Sequence, residues 1–85
     1  MVLYKFEASW CGPCRMLSAV IDNMKEKIIV PIVMVDIDKE PDLTTKYNVR
    51  GVPTMVLVDD NGKEVKRSVG MKTEPQILKF LEQTV

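Results

Sequence analysis

Two cysteines, Cys11 and Cys14, stand three positions apart, with Gly12 and Pro13 between them and Trp10 in front. Thiols at that spacing can exchange with disulfides or supply half of a metal site. The chain has 85 residues, two Cys and no His. A zinc or iron–sulfur site needs about four ligands, so the metal reading requires a cluster bridged between two chains. The lack of His also removes the commonest general base. A third reading, two inert buried thiols, fits poorly with the Gly-Pro insert and with a tryptophan expected to be exposed beside it.

The position of the pair favours redox chemistry. Val2 to Ala8 has the β-branched and aromatic content of a strand. Beyond the cysteines, Met16, Leu17, Val20, Ile21, Met24 and Ile28 recur at helical spacing as one apolar stripe. The pair therefore lies where a strand gives way to a helix. The first N–H groups of a helix lack partners, and its dipole places about half a positive charge there. A thiolate at that point is stabilised, so Cys11 is expected to ionise below the free thiol value of about 8.5 and to act as the nucleophile. Cys14, one turn inside, is placed to resolve the mixed disulfide. Pro13 presets the helical φ and lacks only an N–H that needs no partner. Gly12 lets a partner backbone approach closely.

The remaining elements follow from the same periodicities. Ile29 to Ile37 is apolar enough for a strand buried on both faces, with Pro31 near its start. Pro41 to Tyr47 reads as a short helix with Pro in its first turn. Thr54 to Asp59 and Glu64 to Val69 read as strands joined through Asn61-Gly62, a strong hairpin signal. Thr73 and Gln76 have capping-box spacing at the start of a last helix, whose buried face is Ile77, Leu78, Phe80 and Leu81. The order is βαβ followed by ββα, an α/β fold in a single domain, 1–85. The first two strands are expected to be parallel, with a right-handed crossover. The two long helices are expected to cover the sheet.

Composition removes other classes. Twelve Lys+Arg balance 12 Asp+Glu, and 46% of residues are hydrophobic, so neither a basic nucleic-acid platform nor a disordered chain is expected. The longest apolar run, Ile28 to Val35, contains Pro31 and falls well short of the about 20 residues of a membrane span. The start, Met1 to Lys5, has no signal-peptide pattern. A cytoplasmic protein is expected, where close cysteines cycle rather than staple.

Trp10-Cys11-Gly12-Pro13-Cys14 resembles the active site of the thioredoxin family. Val35-Asp36-Ile37-Asp38, Tyr47-Asn48-Val49-Arg50-Gly51-Val52-Pro53-Thr54, Asn61-Gly62 and Val69-Gly70 match the same family in order and spacing. The resemblance implies a thioredoxin-like fold, a four-stranded mixed sheet of order 2-1-3-4 with strand 3 antiparallel. It implies a cis bond at Val52-Pro53 and a substrate groove formed by Trp10, Gly12, Pro13, Val52, Pro53 and Gly70. It implies a protein disulfide reductase that works as a monomer through the Cys11–Cys14 disulfide, with no bound cofactor and no metal. Its partners would be protein disulfides and a thioredoxin reductase dependent on flavin and NADPH, with no nucleic acid and no membrane. Two other readings remain beside it. One is a glutaredoxin-like or more oxidising exchanger, and the other is a non-catalytic binding module built on the same surface.

The chain also departs from the family. It begins at the strand leading into the active site, without the family's preceding strand and helix, so one sheet edge or face is expected to be barer. Lys5 stands where the family usually has a buried Asp that helps deprotonate the inner cysteine. Glu7 stands where many relatives carry Trp, and Met34 where relatives often have Lys. Residues two apart share a strand face, so Lys5 and Glu7 are expected to pair beneath Cys14. A lysine ammonium there favours the thiolate and makes the disulfide a stronger oxidant. Proton acceptance from Cys14 by Lys5 or Glu7 is the related expectation. With Pro13 and Pro53, these residues are expected to modulate the pair. The alternative is that Lys5 only extends its amine to solvent.

Overall fold

The computed structural model describes residues 1–82. In chain order its elements are strand β1 (Val2–Glu7), helix α1 (Gly12–Asn23), a 3₁₀ turn (Lys25–Lys27), strand β2 (Ile32–Asp36), helix α2 (Pro41–Lys46), strands β3 (Thr54–Val58) and β4 (Glu64–Val69), and helix α3 (Glu74–Glu82). The four strands form one sheet of order β2-β1-β3-β4. β1 pairs parallel with β2, Lys5 opposite Met34, and antiparallel with β3, Lys5 opposite Met55. β3 and β4 are antiparallel. This is the thioredoxin-like arrangement expected from the motifs.

The strand period of two sorts the core into two layers. Leu3, Met55 and Leu57 join Leu17, Ile21 and Met24 and, from α3, Ile77 and Leu81. Phe6, Val56 and Val58 point the other way and join Val35 and Tyr47, with Leu43, Val49 and Val52 packed on them. Both long helices therefore lie on the same face. The opposite face is closed by α2 and the segment after it, not by a long helix as expected. There Tyr4, Phe6 and Tyr47 form an aromatic trio with ring centroids 5.7–6.3 Å apart.

β2 departs from its expected burial. It is an edge strand, and Val33 and Met34 are 42% and 45% exposed. An apolar run reads the same at an edge as at the centre of a sheet, which is why the sequence overstated its burial. Met16 likewise lies outside the buried stripe, because it sits about 100° round the helix from Leu17 and faces solvent. Ile29 to Pro31 form the approach to β2, and the Pro31 carbonyl accepts the Leu3 N–H at 2.8 Å.

Local closures follow from specific side chains. α2 ends in a Schellman pattern: Val49 N–H bonds the Thr44 carbonyl, Asn48 N–H bonds that of Thr45, and Asn48 takes φ 53°. In the β3–β4 turn, Asp59 Oδ1 accepts from the N–H groups of Asn61 and Lys63, and Gly62 supplies φ 81°. At α3, Gln76 Oε1 accepts the Thr73 N–H at 2.9 Å, the backward half of the expected capping box.

Arg67 ties β4 to the end of α2. It donates to the Tyr47 carbonyl at 2.5 Å and to both oxygens of Glu64 at 2.6 and 2.8 Å. The hydrogen bond from Arg67, aided by its charge, holds the Glu64 carboxyl below the ordinary glutamate range. A depressed carboxyl contributes stability above its ordinary value and loses it as pH falls through the lowered one. The pair is about a third exposed, so the contribution is small. In Arg67→Met, the Glu64 carboxylate is expected to titrate in the ordinary range. An NMR titration of the side-chain carboxyl that shows no upward movement would contradict this.

Candidate active site

β1 carries the chain to Ala8, whose carbonyl accepts the Cys11 N–H at 3.1 Å. This turn delivers Cys11 as the N-cap of α1, with extended backbone (φ −92°, ψ 107°). Cys11 Sγ accepts the backbone N–H of Cys14 at 3.1 Å. The sulfur thus takes the place that a serine or aspartate oxygen fills in ordinary caps, and it meets one of the unpaired N–H donors of the helix. Cys11 and Cys14 are joined by a disulfide, with Cα atoms 5.3 Å apart. Pro13 lies in the first turn, where its missing N–H has no consequence.

Both cysteines are buried, at 4% and 2% exposed. Ala8 completes their cluster, with Ile37 and Val52 packed against it. The surroundings are open. Trp10 is 65% exposed, and its indole N–H donates to Asp38 at 3.2 Å. Gly12 and Pro13 face solvent, and a Cβ on Gly12 would meet nothing within 4 Å. The Val52-Pro53 bond is cis, as the resemblance implies. The Pro53 carbonyl accepts the N–H of Gly70 at 2.8 Å, and Gly70 holds φ 91°. Val52 thus lies against the cysteines, and Pro53 and Gly70 are bound to each other. Gly51 adds an anchor by accepting from the Thr54 hydroxyl at 2.7 Å.

Lys5 does not reach solvent. Its side chain is fully buried, which removes the snorkelling alternative. Its Nζ lies 2.5 Å from Glu7 Oε1 and 3.0 Å from the backbone carbonyl of Cys14, and it also bonds the Ser18 hydroxyl. The Lys5–Glu7 pair is therefore formed, and it lies on the Cys14 side of the active-site helix. Met34, its neighbour across β2, is exposed and takes no part. Sequence reasoning missed Ser18, because a single hydroxyl within a helix carries no distinguishing pattern, and it placed Asp38 in a matching segment without foreseeing its bond to Trp10.

Among the described residues no group of three or more His, Cys, Asp or Glu is arranged to hold a metal ion, and no helix is long and apolar enough to cross a membrane. The redox-active group is the disulfide of the chain itself.

Comparison with known proteins agrees with this geometry. The family model described as Thioredoxin matches residues 1–83. The chain is 43% identical over 82 residues to a thioredoxin of Chlamydia trachomatis, covering 95% of this chain and 79% of that one. It is 42% identical over 86 residues to the mitochondrial thioredoxin of Mus musculus, covering 99% of this chain and 51% of that one. Among solved structures, a thioredoxin variant from Halobacterium salinarum superposes with a TM-score of 0.87 at 39% identity, over 96% of this chain and 72% of that one. The reduced thioredoxin pre-protein of Schistosoma mansoni gives a TM-score of 0.87 at 30% identity, over 99% and 78%.

Proposed function

This chain belongs to the thioredoxin family and is a thiol–disulfide oxidoreductase; from that premise we propose that Cys11 is the attacking thiol and Cys14 the resolving one in the reduction of protein disulfides. The observation that carries the assignment is the N–H of Cys14 donated to Cys11 Sγ at the start of α1. In the reduced protein the same donor and the helix dipole favour a thiolate on Cys11. That thiolate attacks one sulfur of a substrate disulfide, and the other sulfur leaves as a thiolate. Cys14 then attacks Cys11 Sγ, releases the reduced substrate and restores the disulfide. Two electrons pass from the cysteine pair to the substrate.

The exposed Trp10, Gly12 and Pro13, with the half-buried Val52 and Gly70, offer a surface around the buried sulfurs on which an extended substrate segment would lie, while Pro53 itself is buried. A reductase, in the family's usual scheme one dependent on flavin and NADPH, would return the electrons. A pair that must be reduced to act suits a reducing compartment such as the cytoplasm. Reduction of insulin disulfides driven by dithiothreitol tests the assignment. The parent is expected to accelerate precipitation of the insulin chains, and Cys11→Ser to show only the background rate. Parent activity at background, or full activity in Cys11→Ser, would refute it.

A further inference from the structure

A buried lysine usually needs an explanation, since an unpaired ammonium in the interior is expensive. Lys5 has one. An ammonium carries three N–H donors and no acceptor, and three acceptors surround Nζ: Glu7 Oε1, the Cys14 carbonyl and the Ser18 hydroxyl. Glu7 supplies the opposite charge at 2.5 Å, and two of the three partners come from the helix that carries the cysteines.

The same place opens to water. A cleft of about 410 Å³ is lined by Glu7, Cys14, Arg15, Ser18, Asp22 and Asp36. Glu7 is 30% exposed there, so its carboxylate joins the buried ammonium to solvent. The charged groups facing the pair are Arg15 and Asp22 from α1 and Asp36 from β2. From β3, Lys5 meets the uncharged Met55.

We propose that Lys5 and Glu7 act as a unit on the resolving cysteine, Lys5 as a positioning residue whose fixed positive charge favours the Cys14 thiolate, and Glu7 as the acceptor that passes the Cys14 proton to water in the cleft. The proposal rests on the assignment of Cys14 as the resolving thiol. In the mixed disulfide, the Cys14 thiol gives its proton to the Glu7 carboxylate. The Cys14 thiolate attacks Cys11 Sγ, and the Cys11–substrate S–S bond breaks. The substrate sulfur leaves with the electron pair and takes a proton from solvent, and Glu7 releases its own into the cleft. The cysteine pair is oxidised by two electrons and the substrate reduced by two.

Charge logic gives the two residues opposite signs at equilibrium. Lys5 favours the thiolates of the reduced pair and so makes the disulfide more oxidising, while the Glu7 carboxylate opposes them. Lys5→Met is expected to shift the redox equilibrium against dithiothreitol at neutral pH about tenfold toward the disulfide, a potential about 30 mV lower. Glu7→Gln is expected to shift it several-fold the other way. The kinetic readout is an aromatic disulfide that releases one coloured thiolate on attack and a second on resolution. Both variants are expected to keep the first phase within about twofold and to slow the second by about tenfold, with its pH midpoint raised in Lys5→Met. Potentials that move in the same direction, or a second phase unchanged in rate and midpoint, would overturn the proposal. Glu7→Gln alters a partly exposed side chain and decides the matter even if Lys5→Met folds poorly. Failure here leaves the first phase and the insulin assay intact, whereas failure of the cysteine assignment removes both.

Discussion

Cys14→Ser is expected to halt turnover while leaving the first attack in place. Cys11 keeps its site at the start of α1, because the Cys14 backbone N–H, not its side chain, donates to Cys11 Sγ. The variant should therefore form a mixed disulfide with a protein substrate and remain there. Only an external thiol can then release it. Well-oriented intramolecular groups reach effective molarities of about 10⁵–10⁸ M, far beyond any added thiol. Turnover is expected to fall by at least about 10³-fold in consequence. A covalent adduct should appear in non-reducing electrophoresis or intact mass, and it should dissolve on reduction. If Cys14→Ser turned over near the parent rate, resolution would come from outside the chain, and the case for tuning Cys14 through Lys5 would fall with it.

The cysteine site was legible in the sequence because its determinants are local. A strand pattern, a helical pattern and the Cys-Gly-Pro-Cys step between them already place one sulfur at a helix start. Glu64–Val69 was legible for a similar reason, since the Asn61-Gly62 turn marks where the chain reverses. What periodicity cannot supply is which side of a sheet an apolar stripe will choose. α1 and α3 each show one buried face, and nothing in either pattern says that both faces meet Leu3, Met55 and Leu57. The opposite layer was harder to foresee because it is closed by short pieces. A six-residue helix and the side chain of Tyr47, whose hydroxyl donates to the Gly62 carbonyl at 2.7 Å, do that work.

Lys5 marks another boundary of sequence reasoning. Its position on β1 and its spacing from Glu7 pointed to a pair, yet a lysine stem can bury itself while the amine escapes to water. Inside, Ser18, two turns into α1 from the cysteines' cap, joins Glu7 and the Cys14 carbonyl as a third partner of Lys5 Nζ. A hydroxyl on a helix does not announce such a role. The same holds for Asn48, where a left-handed residue ends α2 and turns the chain toward Val52. Fold and chemistry meet at that segment, since Val52 packs both on the Phe6 layer and on the cysteine cluster.

Phe6→Ala is expected to cause the largest loss of stability among the substitutions considered. Phe6 is fully buried in β1, a central strand, between Tyr4 and Tyr47 at centroid distances of 6.2 and 6.3 Å. Truncating a buried phenylalanine costs about 3–5 kcal/mol, because the lost transfer energy adds to that of the cavity left behind. Domains of this kind have about 5–15 kcal/mol in all. The thermal midpoint is expected to drop by at least about 12 °C, at roughly 4 °C or more per kcal/mol for a chain this short. Val33→Ala on the exposed edge strand is the control, expected to stay within about 0.5 kcal/mol. Guanidinium unfolding of the two oxidised proteins separates them, and equal midpoints would mean that the α2-side layer does not pack as described. Weakening of that layer should also reach the site, because Val52 spans it and the cysteines. Reduction of protein disulfides by the folded fraction of Phe6→Ala is then expected to fall more than its reaction with a small aromatic disulfide, which needs the sulfurs but not the surface beside them.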